Sequence, residues 1–95
     1  MYGVAITWNM DVTRAADQQR VLQEEIVTSV SKTPGFVSGY WTANPSTGKS
    51  YTFTIVESEE AANTMMKGVQ AGHQDAERHG ARLETIGIGE IVAKA

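Results

Sequence analysis

PGFVSGYWTANPSTGKSYTFTIVESEEAA, residues 34–62, changes conformation three times in one short stretch. Pro34-Gly35 stops whatever precedes it, because proline has no N–H to donate and glycine reaches backbone angles closed to other residues. Phe36 to Ala43 and Lys49 to Glu57 are rich in aromatic and β-branched residues, as strands are. The polar NPSTG between them, Asn44 to Gly48, is a hairpin loop. With Asn44 facing Lys49, Trp41 pairs with Thr52, Gly39 with Thr54 and Val37 with Val56 on one face. Phe36, Tyr40, Tyr51, Phe53 and Ile55 fall on the other. Ser58 then caps a helix whose first turn holds Glu59 and Glu60, where the helix dipole favours negative charge. Ala61, Ala62, Met65, Met66 and Val69 form its buried side.

Outward from this stretch the pattern repeats. Tyr2 to Asn9 alternates large and small residues, Tyr2, Val4, Ile6 and Trp8 against Gly3, Ala5, Thr7 and Asn9, and reads as a strand. From Arg14 to about Lys32 the apolar spacing is helical, with Ala15, Leu22, Ile26 and Val30 on one face and Val21 and Val27 widening it. Thr13 or Asp11 can cap that helix, and Asp17 lies in its first turn. Downstream, Gly68 and Gly72 weaken the second helix, so a break is expected near Gly72, with a short turn from Gln74 to His79 and Gly80 closing it. Leu83 to Ala93 is the last strand, in which Gly87 and Gly89 mark a bulge or a close approach.

The order βαββαβ predicts one domain, residues 1–95, with an α+β ferredoxin-like sandwich: a four-stranded antiparallel sheet with two helices on one face. The other face is then uncovered, yet it is assigned Tyr2, Val4, Ile6, Trp8, Tyr40, Tyr51, Phe53, Ile55, Ile86 and Ile88. Monomers seldom expose so large an apolar patch. A homodimer stacked through Val4, Ile6, Trp8, Tyr40, Phe53 and Ile55 is the expected cover.

Composition narrows the function. A net charge of −3 with scattered Lys and Arg offers no basic stripe for nucleic acid. The absence of cysteine excludes a disulfide framework, thiolate metal sites and a thiol nucleophile. MYGVAITWNMD has no basic leader and an interrupted apolar run, so it is read as a strand of a cytoplasmic protein, neither a signal peptide nor a membrane span. No metal or other cofactor is called for. STGKS, Ser46 to Ser50, lacks the earlier glycine and the following helix of a phosphate loop. Gly87-Ile88-Gly89 lacks the third glycine of a dinucleotide fingerprint.

The candidate site is a small-molecule pocket. Trp41, Thr52, Thr54, Thr7 and Asn9 are assigned to the face that carries Gly3, Ala5, Gly39, Gly87 and Gly89. If that face meets the helices, its small residues leave space and its hydroxyls and amide supply polar anchors. Met65 and Met66 suit an adaptable wall, though with Ala61 and Leu22 they can equally fill the space as core. His73, at the loosened end of the second helix, is the candidate proton acceptor, and a solvated histidine beside a glycine is its plain alternative. His79 reads as a cation at a helix C-terminus.

A helix, then PGFVSGYW, a polar hairpin, and a strand ending VESEEAA that leads into a helix together resemble the dimeric α+β barrel superfamily, in particular its antibiotic biosynthesis monooxygenase-like group. The resemblance covers nearly the whole chain, and its specific motifs, PGF and ESEEA, are structural. It implies a homodimer with a pocket in each protomer between sheet and helices. It also implies one of three chemistries: cofactor-independent oxygenation of polycyclic phenols, heme degradation, or none. The heme-degrading members carry Asn on strand one and Trp then His on the second helix. The matching positions here are Thr7, with Asn9 one pleat on, Met65 and His73. The phenol oxygenases carry Trp and Asn on strand three, where this chain has Val56 and Thr52. Three readings therefore stay open: an oxygenase-like or isomerase-like enzyme on an apolar aromatic substrate, a binding protein with the same pocket, and a bare dimerisation module.

Overall fold

A computed structural model describes all residues, 1–95. Strand β1, Tyr2–Met10, is followed by a 3₁₀ turn, Val12–Arg14, that Asp11 caps by accepting a hydrogen bond from the Thr13 N–H at 3.0 Å. The first helix, α1, consists of two α-helical stretches, Ala15–Val21 and Val27–Ser31, separated by a π turn, Leu22–Ile26. Then come β2, Phe36–Trp41, and β3, Lys49–Val56, followed by helix α2, Glu59–Arg78, and strand β4, Ala81–Glu90. The sheet runs β2-β3-β1-β4 with every neighbouring pair antiparallel, the ferredoxin-like α+β arrangement. No helix is long and apolar enough to cross a membrane.

Local chemistry sets the joints. Gly35, Gly48 and Gly80 have φ of 82, 75 and 79°, the left-handed region that ends α1, the hairpin loop and α2. Ser58 caps α2 by accepting from the Ala61 N–H at 3.1 Å. The helix then continues through Gly68 and Gly72 to Arg78 without the break that these glycines suggest. Each glycine costs only about 1 kcal/mol against alanine in a helix, and the burial of Ala61, Ala62 and Met65 outweighs it.

The core is Val4, Ile6, Val56, Ala61, Ala62 and Met65, with Tyr2, Trp8, Phe36, Leu83, Ile86 and Ile88 packed against it. This corrects the sequence reading of the faces. Val4 pairs with Thr54 and Ile88, and Ile6 with Thr52 and Ile86, so the large residues of β1 and β4 lie on the same side as the even-numbered residues of β3. That side faces the helices. Val4 and Ile6 are 0 and 4% exposed, so Val4, Ile6 and Trp8 leave the expected dimer face, while Tyr40, Phe53 and Ile55 stay on the open one. Alternation identifies two faces within a strand but carries no phase between strands that are far apart in sequence. Burying a Val or Ile is worth roughly 1.5–3 kcal/mol, which places the apolar side of the central strand under the helices.

Two smaller corrections have the same origin. A bulge between Phe36 and Ser38 pairs Phe36, not Val37, with Val56 and turns Phe36 toward the core. In α1 the π turn advances the helical phase by about one residue, so Val21 is buried while Ile26 and Val27 are 39 and 37% exposed.

Candidate functional site

Strand β3 places three hydroxyl side chains, Ser50, Thr52 and Thr54, in a row beneath the helices, 7, 5 and 2% exposed. A polar group so buried is costly without a partner. Ser50 donates to the Thr42 carbonyl at 2.7 Å, and Thr54 donates to Met65 Sδ at 2.9 Å. Thr52 Oγ1 is buried with no hydrogen-bond partner within the chain. An unmade bond of this kind costs about 1–3 kcal/mol.

Aromatic rings flank the row. Trp41 pairs with Thr52 across β2 and β3, and its indole lies back over Gly39, where a Cβ would stand 2.9 Å from the ring. Only glycine leaves room for the ring there, and the same Cβ would stand 3.2 Å from Thr54 Cγ2. Trp8 pairs with Ser50 across β3 and β1, so both tryptophans face the helices, at neighbouring levels of the sheet. Trp8 was assigned to the opposite face by its strand pattern. Met65, on α2, closes the Thr54 end through its sulfur.

The sequence-predicted site residues therefore separate. Trp41, Thr52 and Met65 share the helix-facing side. Thr7 and Asn9 lie on the open face, where the Thr7 hydroxyl is hydrogen-bonded to Thr85 and Asn9 pairs with Lys49 and Arg82. His73 stands fourteen residues beyond Glu59, about 21 Å along α2. Helix α2 packs chiefly on β4 and β1. Its side chain is 41% exposed, with Glu77 Oε1 at 3.9 Å. Ser50 and Trp8 are the residues that sequence reasoning left out. The period-two run Ser50, Thr52, Thr54 was the signal for Ser50, and Trp8 had none within its own strand.

His79 does more than sit at a helix end. Its Nδ1 lies 2.9 Å from Asp17 Oδ2, and Gln18 Nε2 donates at 3.0 Å to both the His79 and Asp11 carbonyls, fastening the start of α1 to the end of α2. Asp17 is held below the usual carboxylate range, first by the His79 hydrogen bond and then by Arg20. Two cavities open on the other side of the sheet. One of about 480 Å³ is lined by Gly3, Ala5, Gly87, Gly89, Phe53 and the segment 90–93. The other, about 270 Å³, lies among Thr7, Tyr40, Tyr51 and Thr85. No three His, Asp or Glu side chains converge as metal ligands would.

No family profile and no curated protein matches the sequence. Solved structures do match the fold, and they include proteins described as antibiotic biosynthesis monooxygenases and as ferredoxin-like. HapK from Hahella chejuensis superposes with a TM-score of 0.76 at 15% identity, covering 100% of this chain and 96% of that one. A candidate antibiotic biosynthesis monooxygenase from Deinococcus radiodurans gives 0.70 at 18%, covering 100 and 95%. The ActVA-Orf6 monooxygenase of Streptomyces coelicolor, solved with Nanaomycin D, gives 0.63 at 16%, covering 98 and 92%. A dimeric ferredoxin-like protein from an uncultured marine organism is similar at 0.69 and 8% identity, covering 99 and 96%.

Proposed function

We propose that this chain binds a small, flat, aromatic ligand between its sheet and helices, beside Trp41, Thr52 and Met65, and that it works as a cytoplasmic homodimer. The observation that carries the proposal is Thr52 Oγ1, buried among aromatic and apolar side chains without a partner. A ligand hydroxyl or carbonyl placed there makes the missing bond. The structural neighbour that holds Nanaomycin D supports an aromatic ligand by analogy of fold.

The finer version is a cofactor-independent, monooxygenase-like enzyme, in which an electron-rich substrate itself reduces oxygen and His73 takes its proton. The exposure of the His73 side chain and its nearness to Glu77 favour binding over catalysis. Heme suits the site less well, since Met65 occupies the position that Trp holds in heme-degrading relatives of this fold.

Thr52→Val tests the site. Removing an unpaired buried hydroxyl raises the stability of the free protein by about 1 kcal/mol, and it weakens the ligand by the bond it no longer finds. Binding is read from a panel of phenols, quinones and flavonoid-like compounds, by thermal shift and by quenching of tryptophan emission. Trp41→Phe and Trp8→Phe should each remove part of the quenching. His73→Ala should spare binding, and loss of turnover in that variant marks catalysis. If no compound shifts the melting temperature, or if Thr52→Val destabilises the free protein, the pocket reading is wrong.

A further inference from the structure

Thr7 and Asn9 face away from the helix-side pocket and have other company. Two rows of side chains cross their end of the open face. Tyr51, Thr7 and Thr85 form one, and Lys49, Asn9 and Arg82 form the next, about 6.6 Å along the strands. Arg82 belongs to this face because its neighbour Leu83 packs against the core on the other. The register of β1 with β4 shifts between Thr7 and Trp8, and such bulges re-aim side chains beside binding sites.

The first row borders the cavity of about 270 Å³. Three of its lining residues, Tyr40, Tyr51 and Phe53, are aromatic and stand 63, 56 and 41% exposed. Ala5 lies between them and the polar pair Thr7 and Thr85. An apolar cavity of about 150 Å³ takes benzene, so this one has room for one or two rings and a small substituent.

The polar end favours an anion. The Thr7 and Thr85 hydroxyls are hydrogen-bonded to each other. That bond uses one of their two hydrogens and leaves the other free to donate. Lys49 Nζ lies 2.6 Å from Glu84 Oε1, which offsets its charge. Arg82 is in no ion pair. One row separates its Cα from the hydroxyl pair, a distance that an arginine side chain spans. The planar guanidinium matches a carboxylate with two parallel N–H groups. A single uncompensated cation suits a single negative charge and falls short of a phosphate dianion or a polyanion.

We propose that this end of the open face is a second ligand site, and that it takes a small aromatic carboxylate. The ring lies among Tyr40, Tyr51 and Phe53, and the carboxylate accepts from the free threonine hydroxyl and from Arg82. All these groups belong to one chain, and the site is independent of the homodimer and of the helix-side pocket proposed above. The two sites lie on opposite sides of β3, where Tyr51 and Phe53 flank Thr52 in sequence.

The probes are 2-naphthoate and its methyl ester, which share a ring system and differ in charge. Calorimetric titration should show 2-naphthoate binding once per chain and about tenfold more tightly than the ester, with added salt narrowing the gap. Arg82→Gln should abolish the preference while the ester binds as before. Arg82 is exposed, and an unchanged far-ultraviolet circular dichroism spectrum checks that the variant is folded. Location is read from methyl resonances: those of Ala5 and Thr85 should shift with 2-naphthoate while that of Met65 stays in place. Absence of saturable 2-naphthoate binding, equal affinity for acid and ester, or a preference that survives Arg82→Gln overturns the proposal. A shift of the Met65 methyl with Ala5 and Thr85 unmoved also overturns it, and places the probe beneath the helices instead.

Discussion

Asp17 joins two helices through one carboxylate, close to His79 Nδ1 at 2.9 Å and Arg20 at 2.7 Å. These contacts lower its pKa in the folded state, the His79 hydrogen bond foremost. A depressed carboxylate stabilises the fold above its unfolded pKa, about 3.9, and loses that contribution as pH falls through the folded value. Melting temperatures of the wild type and Asp17→Asn should therefore differ at about pH 5, and the gap should close progressively as pH falls below about 4. A gap that persists at pH 2 would show that Asp17 acts through packing and not charge. At this scale the site was half legible. The alternation Ser50, Thr52, Thr54 can be read directly, and Trp41 follows from its hairpin partner. Thr7 and Asn9 were misplaced because nothing in β1 itself tells which way its small side turns. Trp8 was misplaced for the same reason.

Among the elements, the β2–β3 hairpin and the Ser58 cap were legible because their signals are local: turn chemistry, strand-forming residues, and a serine before two glutamates. The π turn of α1 and the bulge at Phe36 were not, since each is a one-residue adjustment of phase that only the packed sheet requires. Helix α2 was read as broken where it is whole. A Cβ at Gly68 or Gly72 meets nothing within 4 Å, and neither residue has positive φ. Gly68→Ala and Gly72→Ala should each raise stability by up to about 1 kcal/mol, additively, in chemical denaturation. Destabilisation by either would mean that the gap above the glycine is used by something the free chain does not contain.

Across the whole molecule, the sandwich could be read from element order, since two right-handed crossovers allow no other placement of the helices. The identity of the open face could not, because it depends on pairings between distant strands. Those pairings bear on how the chain comes to be folded at all. The central strand is the one synthesised first, and the partners of Val4, Thr54 and Ile88, follow fifty and eighty-four residues later. Closing such long loops precedes any return in contacts, which slows folding. A nascent chain that has emerged only as far as Gly80 holds its most apolar strand with one edge bare, and should show no cooperative melt and remain a substrate for chaperones or proteases until β4 arrives. A sharp unfolding transition in a chain ended at Gly80 would refute this. Otherwise the last ten residues of the sheet decide when the first nine are safe.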